Sequence, residues 1–183
     1  MANNKMLVGF FVASESIFFV MLILAYVNFH GTVTDGPTAV NSLDPLRTGI
    51  FSLFLLASSF TVWLAGRNLA TKNHFMLKIW LFVTIILGAL FIYGQATEWF
   101  GLFAQNITIS RNVFGTTFFT LTGFHGFHVC VGLLMLSILL VLAMFGDFKG
   151  PKSDGVECIS IYWHFVDGVW IVVYSVIYLW AFF

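Results

Sequence analysis

The stretch FHGFHV (124–129) sets two histidines, His125 and His128, three residues apart inside a long run without formal charge. Residues at i and i+3 share one face of a helix, and two imidazoles on one face are one way to hold a metal or a haem. A second pair with the same spacing, His164 and Asp167, lies in YWHFVD (162–167), with Glu157 seven residues earlier. Two more carboxyls stand among apolar residues, Glu15 in ASESIFF and Glu98 in QATEWF. Imidazoles and carboxyls relay protons, bind ions and ligate metals. The surroundings decide which of these tasks is open to them.

Metal work needs further ligands, and the sequence offers no familiar set. There is no HExxH, no CxxCH and no Glu-x-x-His pair of the di-iron kind. The two cysteines, Cys130 and Cys158, have no CxxC spacing and read as small core residues. Against ligation stands a plainer reading, in which His125 and His128 are interior groups hydrogen-bonded between helices, as buried polar groups generally are. The residues alone favour that reading.

The elements that must position these groups follow from composition. The chain has 183 residues, enough for one domain. It is 60% hydrophobic, 19% aromatic and only 9% charged, against roughly 25% charged in soluble domains. Eight basic and eight acidic residues cancel, which argues against a nucleic-acid partner. The first apolar run follows a single lysine and contains Glu15, so no cleavable signal peptide is expected. Charges mark out five stretches able to cross a bilayer, each about 20 residues or longer. They are approximately 6–28, 48–66, 79–97, 113–145 and 158–181. The ~10-residue alternation of a membrane barrel is absent. The expected fold is all-α, a single transmembrane domain built as a bundle of five helices.

Basic residues orient the bundle. With five spans, Lys5, Arg67, Lys72, Lys78, Lys149 and Lys152 share one side, and Arg47 and Arg111 the other. The positive-inside rule then puts the N-terminus in the cytoplasm and the C-terminus outside. The segment 31–46, with its Gly, Pro and Asp, is an outer loop, as is 101–112.

At about 1.5 Å per residue, Glu15 lies roughly 15 Å into its span, near mid-bilayer. An ionised carboxyl there is expensive and normally faces the bundle interior or a water path. Small neighbours Ala13, Ser14 and Ser16 suit close helix packing. Glu15 is a proton-relay or ion-site carboxyl, or a protonated acid that glues helices together; residue type leaves both open. Glu98 sits at the outer end of the third span beside Trp99 and Phe100, where it could meet His125 or the outer turn of the fourth helix. Glu157, His164 and Asp167 are expected as one polar cluster at the cytoplasmic mouth of the last helix. Such a cluster could take a partner subunit, a lipid head group or a cation, or be a water-accessible helix end.

QATEWF, FGTTFFTLTGFHGFHVCVG and IYWHFVDGVWIVVYSVIYLW together resemble the last three helices of subunit III of the haem–copper respiratory oxidases. VGFFVASESIFFVMLILAYVNFH resembles that family's helix carrying the carbodiimide-reactive carboxyl, with Glu15 at its position. The resemblance covers almost the whole chain in the same order. Seven-helix members have two more helices before the first span, so the chain resembles the short, five-helix bacterial type. The resemblance implies an accessory subunit of a proton-pumping terminal oxidase in a bacterial plasma membrane, fed by cytochrome c or quinol. It implies no cofactor in this chain, with haem and copper in subunits I and II. His125 and His128 would then be packing residues. Bound phospholipid is implied, with other respiratory complexes as further partners, and Glu98, His125, His128, Glu157, His164 and Asp167 as interhelical, lipid or partner contacts. Two rival functions remain: the related subunit of a nitric-oxide reductase complex, and a small ion or proton transporter using Glu15. The second lacks the internal repeat or broken helix pair common in transporters.

Overall fold

In the computed structural model, residues 2–29, 42–110, 113–148, 150 and 153–180 are described. Among them there is no strand. Five helices are long and apolar enough to cross a membrane. They are α1 (Ala2–Phe29), α2 (Pro45–Ala70), α3 (His74–Ala104), α4 (Val113–Phe145) and α5 (Asp154–Tyr174), the last continued by a π-helical turn, Ser175–Leu179. Arg111, Lys149 and Lys152 lie outside the described residues, as do most of the loop expected at 31–46 and the end of the last span at 181.

Local chemistry sets the helix ends beyond the limits that charges suggest. Asp44 caps α2, its side chain accepting from the Arg47 N–H at 3.1 Å, with Pro45 in the first turn. Asn73 caps α3 in the same way through the Met76 N–H. Only Thr71, Lys72 and Asn73 separate α2 from α3, which pack as an antiparallel hairpin. Gly146, at φ 78°, ends α4. Its N–H reaches the Ala143 carbonyl, and the Asp147 N–H reaches that of Leu142, the reversal that a left-handed glycine permits.

Helices α2 to α5 close a ring: α2 packs on α3, α3 on α4, α4 on α5 and α5 on α2. The centre is aromatic. Trp163 is fully buried between Gly88 of α3 and Gly132 of α4. A Cβ at either glycine would come within 2.9 Å or 2.6 Å of the Trp163 ring, so only glycine lets the three helices approach this closely. Trp163 Nε1 donates to Ser58 Oγ, and Trp170 Nε1 to Ser52 Oγ, both at 2.8 Å. These bonds and the Tyr174 hydroxyl on the Pro45 carbonyl (2.9 Å) lie along the antiparallel α2–α5 seam. Thr61 and Thr84 join α2 to α3 at 2.7 Å.

α1 stands outside this ring and packs on α4 and α5. Phe19 and Tyr26 are its fully buried side chains, at spacings of four and eleven from Glu15. Glu15 therefore belongs to the inward face of a peripheral helix.

Candidate functional site

Glu15 meets His128. Its Oε2 lies 3.2 Å from His128 Nε2, joining the middle of α1 to the middle of α4. The other ring nitrogen, Nδ1, lies 2.7 Å from the Phe124 carbonyl. A carbonyl only accepts, so Nδ1 carries a proton. Nε2 faces the Glu15 carboxyl, so the imidazole is engaged on both sides. Phe19 packs edge-on to the His128 ring at 5.1 Å, and the Tyr162 hydroxyl donates to the His128 carbonyl at 3.0 Å. The pair is therefore built from α1, α4 and α5. The Glu15 side chain is 23% exposed, so it stands at the bundle's edge rather than its centre. Ser14 and Ser16 bond back to the α1 carbonyls of Phe11 and Val12 and take no part in the contact.

His125, one turn earlier on α4, is enclosed by rings. It stacks on Trp170 at 4.8 Å and meets Phe91 and Phe19 edge-on. Neither of its ring nitrogens has a hydrogen-bond partner among the described residues. The expected interior hydrogen bond is thus found at His128, whereas His125 is packed by its ring faces. No group of three or more His, Cys, Asp and Glu side chains among the described residues could hold a metal.

Glu98 does not meet His125. Thr48 Oγ1 donates to its Oε1 at 2.7 Å, Tyr178 Oη to its Oε2 at 2.5 Å, and Gln95 Nε2 approaches Oε2 at 3.4 Å. Two features turn it this way. α3 continues to Ala104, so Glu98 lies inside the helix rather than at its end. The π-helical turn places Tyr178 in the interior, 1% exposed, facing α2 and α3. Widened turns of this kind often mark sites where a side chain must be re-aimed.

Nor do Glu157, His164 and Asp167 form one cluster. Glu157 pairs with Lys5, and Asn4 approaches Asp154 at 3.4 Å, so polar contacts tie the first turns of α1 and α5 together. His164 and Asp167 turn to α2, where Ser59 Oγ lies 2.9 Å from His164 Nδ1 and donates to Asp167 Oδ2. Asp167 is 3% exposed and sits about 20 Å along α5, far from a wet helix end. Seven residues separate Glu157 from His164, about 10 Å of rise, which is too far for a shared set of partners.

Sequence reading missed Ser59, Thr48 and Tyr178 as partners. Hydroxyls in the middle of apolar spans were the available signal, since each must find an acceptor or donor away from water.

The class defined by this geometry is a polytopic α-helical membrane protein whose carboxyls and imidazoles face other helices. A profile of the family described as cytochrome c oxidase subunit III matches residues 2–182. The chain is 34% identical to cytochrome c oxidase subunit 3 of Synechocystis sp., over 92% of this chain and 72% of that protein. It is 35% identical to the subunit of the same name from Drosophila melanogaster and 34% identical to that from Homo sapiens, over 93% of this chain and 67% of each relative. The chain belongs to the cytochrome c oxidase subunit III family.

Proposed function

We propose that this chain is an accessory subunit of a proton-pumping terminal oxidase in a bacterial plasma membrane, its N-terminus in the cytoplasm. It packs against subunits I and II, which carry the haem and copper, and it has no catalytic group of its own. Electrons reach the complex from cytochrome c or quinol. The chain's contribution is to hold phospholipid, stabilise the complex and sustain proton uptake. Glu15 is the carbodiimide-reactive carboxyl.

The observation that carries this reading is the Glu15–His128 contact. His128 engages protein groups through both nitrogens, Phe124 on one side and Glu15 on the other. That arrangement suits an interhelical contact better than haem ligation, because both nitrogens are engaged. His125, walled by Phe19, Phe91 and Trp170, offers no approach to a macrocycle. The test is purification in mild detergent. A complex containing this chain will show a haem spectrum, and the chain isolated from it will show none. Haem that stays with the isolated chain would overturn the reading.

A further inference from the structure

His164 is an exposed imidazole in the middle of a membrane span. It stands ten residues into α5, about 15 Å from the helix start, in a span about 39 Å long. Its Nδ1 faces Ser59 Oγ at 2.9 Å, and Ser59 is held in turn by the buried Asp167. Ser59 gives its one hydroxyl hydrogen to Asp167 and therefore accepts from His164 Nδ1–H, which leaves His164 Nε2 as an acceptor that no described residue meets. Hydrocarbon cannot meet it either. Asp167 Oδ1, beneath it, also lacks a partner among the described residues.

An apolar groove of about 490 Å³ lies between α2 and α5 further toward the α5 C-terminal end; His164, Ser59 and Asp167 do not line it, but Ile171 and Ser175, seven and eleven residues after His164, continue the same stripe of α5. Leu53, Leu56, Ile171 and Ser175 line it, and Gly49 forms part of its floor, where a Cβ would come within 2.8 Å of the Tyr174 hydroxyl.

Resting on the multi-subunit reading above, we infer that the α2–α5 face seats a transmembrane helix of another subunit of the complex. That helix places apolar side chains in the groove and one hydrogen-bonding side chain, such as Ser, Thr, Asn or Gln, on His164 Nε2. An acyl chain would fill the groove but not satisfy the imidazole, since lipid head groups lie about 15 Å from mid-bilayer. A helix supplies both kinds of contact at the observed depth.

The test uses the assembled complex with a benzophenone amino acid at Ile171, which is 51% exposed. Light should produce one protein adduct, mapped to the middle of a transmembrane segment in another subunit. Three variants then separate docking from internal structure. The amide of His164→Gln reaches the position of Nε2, whereas that of His164→Asn reaches only that of Nδ1. The Asn and Leu variants should lower the chain retained through a detergent wash about three- to tenfold, and the Gln variant should restore it. Retention by Asn but not Gln would show that His164 serves only Ser59 and Asp167, and would overturn the docking face. A phospholipid adduct alone, in an intact complex, would also overturn it while leaving the accessory-subunit reading standing. A chain that never co-purifies with haem-bearing subunits would overturn both.

Discussion

Glu15 and Glu98 are two half-buried carboxyls among apolar helices, and the protein treats them differently. Glu98 lies inside the four-helix ring, with hydroxyls of Thr48 and Tyr178 on its two oxygens and the Gln95 amide nearby. Glu15 lies on the peripheral helix, with one oxygen on His128 and part of its side chain open. A carboxyl whose oxygens are both committed to donors is a structural joint. One that touches a single imidazole at the edge of the bundle, with part of its side chain open, is accessible to a reagent. Carboxylic identity and burial do not separate the two cases; the number and kind of partners do.

The largest expected effect comes from breaking the joint. Glu98→Ala leaves the Tyr178 and Thr48 hydroxyls without an acceptor in the core and should cost on the order of 3 kcal/mol. It would be read as a lower midpoint in thermal unfolding of the purified complex. Glu98→Gln keeps one carbonyl acceptor and should lose about half as much. Equal losses for the two variants would mean that the donors do not depend on that oxygen.

At the edge, the effect should be smaller and chemical. His128→Asn removes the partner of Glu15 and should cost on the order of 1 kcal/mol. Haem and copper content per complex should stay unchanged, and likewise for His125→Asn, although the latter will assemble in lower yield. Specific loss of one haem at normal subunit stoichiometry would show that these residues are ligands. A hydrophobic carbodiimide should label Glu15 and leave Glu98 unmodified, as peptide mapping would reveal. Smallest of all, Lys5→Ala removes an exposed ion pair with Glu157 and should leave the unfolding midpoint unmoved. A clear drop there would place the anchorage of α1 at its end rather than at Glu15.

Five apolar stretches bounded by charges were legible because hydrocarbon thickness and the cost of charge set their length. Helix ends were less so. Asp44 and Asn73 caps lengthen α2 and α3 beyond the apolar windows, and α3 runs on through Glu98 because Thr48 and Tyr178 satisfy the carboxyl inside the bundle. Glu15 stood out by residue type and depth. Its partner did not, because helices apolar on all sides give no face by which to read their rotation. The same reason hid the division of Glu157, His164 and Asp167 between α1 and α2. The π-helical turn that brings Tyr178 to Glu98 has no signature in SVIYL that periodicity would reveal.

Under the proposed function Glu15 supports the oxidase without carrying its chemistry, and Glu15→Gln tests this most directly. Gln keeps the size and much of the hydrogen bonding to His128 but cannot take a proton on and off. The measurement is oxygen consumption and proton ejection by the reconstituted variant complex beside the wild type, with carbodiimide labelling of this chain followed in parallel. Labelling should disappear and oxygen reduction should remain substantial, while proton ejection or lifetime under turnover falls by a modest factor. Near-complete loss of oxygen reduction in a fully assembled Gln complex would contradict the account.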